Sequence, residues 1–200
     1  MKKIVFFIML LCSYYSFSQV GIGTTTPSSE LEIETTNTGI PALRLNPQSA
    51  PTGSMTGQLA VIGDQLFMYD ATRAKWLSTG AVAIQFGTNG NSDGQNLSYG
   101  GTMRNSGSGP LMPFNGTIVG ITGNCSGGNS NKGFELRVFD WTGFGTNTTI
   151  SYNFNLSNYE FNNSTLNLDF NINDYISLSS SSSGSSVANP AIVVWVKWRE

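Results

Sequence analysis

Ile150-Ser-Tyr-Asn-Phe-Asn-Leu156 and Leu166-Asn-Leu-Asp-Phe-Asn-Ile172 decide the fold. In both stretches every second residue is apolar, and Ser, Asn or Asp stands between. A period of two places the apolar side chains on one face of a strand and the polar ones on the other. Phe134, Leu136 and Val138 alternate with Glu135 and Arg137 in the same way. Ala191-Ile-Val-Val-Trp-Val196 is apolar at both parities and reads as a strand buried on both faces. Ile118-Val-Gly-Ile121 reads as another, and Gly- and Asn-rich turns are expected at 87–94, 123–133 and 158–164. About eight antiparallel strands, packed sheet on sheet, predict a β-sandwich or jelly-roll domain over residues 81–200. No stretch past the leader carries a helical apolar period, so the chain is expected to be all-β.

Working back toward the N-terminus, residues 19–80 change character. Leu31-Glu-Ile33 and Ala42-Leu-Arg-Leu45 predict short strands, with Pro and Gly punctuation between them. Leu59-Ala-Val-Ile62 and Gln65-Leu-Phe-Met-Tyr69, joined by Gly63-Asp64, carry the strongest hairpin signal in the chain. A turn over residues 70–73 leads into Lys75-Trp-Leu77. A module of about sixty residues with such short strands buries little apolar surface by itself. It therefore reads as a stalk-like module stabilised by association with copies of itself.

Residues 1–18 read as a signal peptide. Lys2 and Lys3 precede the apolar run Ile4-Val-Phe-Phe-Ile-Met-Leu-Leu-Cys12, and Ser16 and Ser18 give the small-x-small pattern before Gln19. The run is shorter than the roughly 20 residues a membrane span needs, so no span is expected after cleavage, and the chain is expected to be secreted or displayed at the outer cell surface. Removal of the leader takes Cys12 with it and leaves Cys125 without an intrachain partner. Charged residues are 11% of the chain and the net charge is -2, with no Lys/Arg cluster beyond Lys3. Nothing in that pattern is suited to nucleic acid. With 12% aromatic residues, the chain is too rich in core-forming side chains to be disordered.

Val20-Gly-Ile-Gly-Thr-Thr-Thr-Pro27, followed by Leu31-Glu-Ile33, resembles the opening of secreted proteins of Bacteroidetes-type bacteria. It also looks like stretches in phage tail fibres and trimeric fibrous adhesins, as does the set Gly57, Tyr69, Asp70 and Trp76. Pro113-Phe-Asn-Gly-Thr-Ile-Val119, Asn173-Asp174 before Tyr-Ile-Ser-Leu178, and the apolar C-terminal strand resemble the trimeric jelly-roll heads of the C1q and tumour-necrosis-factor type. There Asn173 stands where that family commonly has Gly, and no collagen-like tract precedes the head. These resemblances imply a homotrimer with a short stalk and a head used for adhesion or recognition.

The chain has no histidine, which removes Ser–His and Cys–His nucleophile pairs and His-ligated zinc. Asp140, Glu160, Asp169 and Asp174 could in principle supply a glycosidase pair, but Asp169 on a polar strand face and Asp174 in a turn have the pattern of solvated carboxylates. No catalytic residue, metal ligand or cofactor is assigned, and the chain is not expected to be an enzyme. The candidate ligand-binding residues are Asp140, Trp141, Phe144 and Asn147, in a Gly-containing link between two strands. A flat apolar ring beside hydrogen-bonding groups is what sugar binding needs. Against this stands packing of Trp141 and Phe144 on the core or a subunit seam, which is also the reading for Trp195 and Trp198. The function expected is adhesion or recognition by a fibre-like protein, with cell-surface glycan or protein as partner. The rivals are a purely structural role in an extracellular assembly and a carboxylate-based polysaccharide hydrolase.

Overall fold

The computed structural model describes residues 20–37, 39–100, 109–141 and 147–200; the signal-peptide residues and Phe144 lie outside these. There is no helix among the described residues, and the protein is an all-β sandwich preceded by short-stranded segments. None of the described part contains a helix long and apolar enough to cross a membrane.

The chain divides into two compact units, Met1–Asn46 and Pro47–Glu200. In the first, β1 (Val20–Ile22) and β2 (Leu31–Ile33) pair in parallel, with Val20 opposite Leu31. No described residue from 20 to 46 is buried. The strand expected at Ala42-Leu-Arg-Leu45 does not form: the segment lies between Pro41 and Pro47 and meets no partner strand.

The second unit opens with β3 (Pro47–Gln48), β4 (Leu59–Ile62), β5 (Gln65–Asp70) and β6 (Lys75–Ser78), hydrogen-bonded in that order. The β4–β5 hairpin turns at Gly63-Asp64 as expected, with Gly63 at φ +62°. Ala60, Phe67 and Trp76 form its small core, and the Trp76 indole donates to the Pro51 carbonyl at 2.8 Å. The unit continues through β7 (Val82–Gly87), β8 (Asn91–Ser92), β9 (Ser98–Tyr99), β10 (Gly116–Asn124), β11 (Gly127–Gly128) and β12 (Gly133–Asp140). It ends with β13 (Asn147–Asn155), β14 (Glu160–Asn163), β15 (Leu168–Phe170), β16 (Tyr175–Ser180), β17 (Val187–Ala188) and β18 (Ala191–Trp198).

The expected division near residue 80 does not separate compact units, because the β3–β6 sheet is bound to the sandwich by its own side chains. The Arg73 guanidinium donates to the carbonyls of Leu166 (2.8 Å), Ser164 (2.9 Å) and Val119 (3.1 Å) while pairing with Asp70. Lys75 reaches Asp169 and Asn167, each at 2.6 Å. The Trp198 amide donates to Ser78 Oγ.

One sandwich sheet runs β9-β7-β18-β10-β14, with β15 also on β10; the other runs β13-β12-β16. Ile84, Phe86, Ile118, Ile121, Ile192 and Val194 of the first face Phe134, Leu136, Val138, Phe154, Ile176 and Leu178 of the second in one core. The far edge of β16 is covered by loop backbone, with Leu97 N donating to Leu178 O and Met112 N to Asp174 O. Asn173 takes φ +69° just before β16, a left-handed position where Asn is a tolerated substitute for Gly. Asp174 is buried and caps this turn by accepting from Asn171 N at 2.7 Å.

Several details depart from the sequence expectations. The expected turns at 87–94, 123–133 and 158–164 contain β8, β11 and β14, which pair with distant strands that local sequence does not reveal. The alternation at residues 166–172 yields only the short β15, and Ile172 is exposed. The double-parity run at 191–196 is buried on one face alone: Ile192, Val194 and Val196 point into the core, whereas Trp195 keeps 36% of its surface. No layer of the described chain lies over the other face.

Candidate functional site

The β12–β13 hairpin positions the expected site. Its ladder runs from Gly133 opposite Asn155 to Asp140 opposite Asn147, with a register shift between Val138 and Phe139. Such a bulge twists a strand and re-aims its last side chains. Phe139 is buried on the face of β12 that carries Glu135 and Arg137, and it stacks on its register partner Tyr175, with ring centroids 4.8 Å apart and planes at 10°. Trp141 meets the same Tyr175 edge-on at 6.0 Å and 76°. Tyr175 is buried, and burial pushes its hydroxyl above the ordinary tyrosine value.

Trp141 therefore rests one edge on a buried aromatic stack and leaves 43% of its surface to solvent. Asp140 and Asn147 stand across the ladder from each other beside it, Asp140 half-buried and Asn147 exposed. The ladder thus pairs Asp140 with Asn147 next to Trp141 in the chain, and Phe144 falls outside the described residues. One part of the Trp141 indole packs on Tyr175 and the rest is open to solvent.

The carboxylates considered for hydrolysis are held in other ways. Asp169 accepts from Thr117 Oγ1 at 2.7 Å and pairs with Lys75 at 2.6 Å. Burial opposes its ionisation, but the hydrogen bonds from Lys75 and Thr117 and the charges of Lys75 and Arg199 outweigh it, so its carboxyl lies below the usual range. Asp174 is engaged in its turn, and Glu160 is exposed on β14. On the outer face of β12, the hydrogen bond from Arg137 is the main reason Glu135 ionises below its ordinary value; burial opposes this and the Ser151 hydroxyl assists. No group of three or more His, Cys, Asp or Glu that could hold a metal occurs among the described residues.

The feature missed in the sequence is the outer face of the larger sheet. Trp195 there donates its indole N–H to Thr122 Oγ1 on β10 at 3.0 Å. Its register neighbours are Ala83 on β7 and Gly120 on β10, both too small to cover a ring. Trp198 conforms to the expectation, packing against the core with its ring edge-on to Phe170 and Phe114.

No protein-family model matches this chain, and no curated protein sequence does. Among solved structures the chain is similar to one described as "CBM4 structure and function", at 10% sequence identity and a TM-score of 0.30, over 74% of this chain and 79% of that one.

Proposed function

We propose that this protein is an exported recognition protein without catalytic activity, which binds glycan at the end of the β12–β13 hairpin where Asp140 pairs with Asn147. The observation carrying this reading is Trp141: a ring braced by a buried stack, 43% exposed, with an acid and an amide beside it. A sugar's C–H face packs on such an indole, and its hydroxyls hydrogen-bond to the flanking polar groups. The lack of histidine and the engagement of Asp169 and Asp174 in structural bonds favour binding over hydrolysis. The leader expected at residues 1–18 supports display outside the cell.

The same reading includes assembly as a homotrimer through the N-terminal unit. Val20, Ile22, Leu31, Ile40 and Leu43 are 51–63% exposed there, and the unit has no buried residue of its own among those described. Self-association would bury that surface.

A glycan array with the purified protein tests the first part. Binding to at least one glycan class is expected, with loss in the Asp140→Ala/Trp141→Ala/Phe144→Ala variant; no binding, with the protein folded and assembled, would transfer the role to a purely structural one. Sedimentation equilibrium tests the second. Three copies per particle are expected, and a stable monomer at micromolar concentration sinks the trimer.

A further inference from the structure

We propose that the outer face of the larger sandwich sheet is a second binding site, distinct from the Trp141 hairpin, and that it takes a neutral oligosaccharide lying across the strands.

Two depressions meet on this face. One, of about 930 Å³, lies on the β7 side, and the other, of about 710 Å³, on the β10–β14 side. They share Ala191 and Val193 of β18, so the floor is continuous from the β9 edge to β14. Crossing from β9 through β7, β18 and β10 to β14 takes four inter-strand steps of about 4.8 Å each, about 19 Å in all, room for an extended chain of several sugar rings.

The chemistry of the lining is specific. Its floor at Ala191 and Val193 is small and apolar, while Gln85, Asn89, Asn124 and Asn162 are exposed amides along its sides. Each amide offers both donors and acceptors, the pattern that sugar hydroxyls match. Trp195 stands two residues beyond Val193 on the same strand, pinned by its bond to Thr122, a residue that itself lines the β10-side depression. The ring is thereby fixed before any ligand arrives, which spares the ordering cost of binding.

Charge selects the class of ligand. Among the described residues that line the two depressions, Glu160 is the single ionisable side chain and there is no Lys or Arg. A uronate, sulfate or phosphate would lose its hydration with no cation to replace it. A neutral glycan carries no such cost. Among the described residues, the centre also carries no cluster of the aromatic, Met and Arg anchors of protein–protein hot spots.

Affinity electrophoresis of the full chain in gels containing xylan, a β-1,3-glucan, galactomannan or dextran, with polygalacturonate as the anionic arm, tests the proposal. Retardation by at least one neutral polymer, unchanged in added salt, is expected. Trp195→Ala should weaken it about tenfold, the loss of one stacked ring, and Trp141→Ala should leave a residual component that Trp195→Ala removes. Ala191→Arg, an exposed substitution that blocks the shared floor, should act like Trp195→Ala at an unchanged melting temperature, which keeps the test decisive if the tryptophan variant folds poorly. Lack of retardation by every neutral polymer overturns the proposal, as does retardation by polygalacturonate alone. Binding at full strength in Ala191→Arg with loss in Trp141→Ala assigns all recognition to the hairpin and also overturns it. Sedimentation supplies the last arm: an assembly that Ala191→Arg dissolves makes this face a seam between copies and overturns it too.

Discussion

Replacing Arg73 by alanine should loosen the β3–β6 sheet from the sandwich at a cost readable in a single melting curve. The guanidinium is largely buried, with 15% of its side chain exposed, and it bridges a carbonyl of β10 and two of the loop before β15, which lie 46 to 93 residues away in sequence. A partly buried hydrogen bond to a charged donor contributes about 1.5–3 kcal/mol. The carbonyl of Ser164, on an exposed residue, regains water, so two bonds count. At the lower half of that range their loss costs about 3–4 kcal/mol. For a domain of this size each kcal/mol moves the midpoint by about 2–4 °C, which predicts a fall of roughly 6–16 °C. Differential scanning calorimetry of wild type, Arg73→Ala and Arg73→Lys measures it. The lysine variant keeps the charge but offers its donors from one nitrogen, so it should recover only part of the loss. A second readout comes from Asp70. Burial opposes its ionisation, yet the side-chain and backbone hydrogen bonds and the charge of Arg73, with the Thr72 amide, hold its carboxyl below the ordinary range. In Arg73→Ala that carboxyl should titrate at higher pH by carbon-detected NMR. An alanine variant that melts within 2 °C of wild type would refute the reasoning, because the sheet would then be held by its apolar contacts alone.

Acid should destabilise the protein through Asp169, Asp70 and Glu135, whose carboxyls all ionise below their ordinary values. A depressed folded-state value gives stability that is complete above the unfolded value and lost as pH falls through the folded one. Melting temperature should thus be level above about pH 5 and drop below about pH 4, and Asp169→Asn should be less stable at neutral pH with a shallower acid slope; an equal slope in that variant contradicts the assignment. Lys132 is fully buried, its ammonium bound to Asp93 at 2.7 Å and to the carbonyls of Ser183 and Ser185 at 3.2 Å. Lys132→Met should cost about 2–3 kcal/mol, below the usual range for breaking a buried pair because Asp93 is half exposed, and should speed proteolysis within residues 181–186; urea denaturation and limited digestion read both.

The local alternations at residues 134–138 and 150–156 were enough to determine that this chain folds as a one-sided antiparallel sandwich, since a period of two leaves a strand only one apolar face. The hairpin at Gly63-Asp64 was equally legible, because its register depends on two adjacent residues and their flanks. The aromatic link after Asp140 was visible for the same reason: Trp141 beside polar residues is a local pattern. Pairings between strands far apart in sequence were not visible, so β8, β11 and β14 passed for turns, and residues 47–78 passed for a part separate from the sandwich until Arg73 and Lys75 were seen reaching across it. Least legible of all was Trp195. In a run that is apolar at both parities, nothing local says which face another layer will cover. That depends on where β12, β13 and β16 pack, and they cover Ile192, Val194 and Val196, leaving Trp195 outward between Ala83 and Gly120.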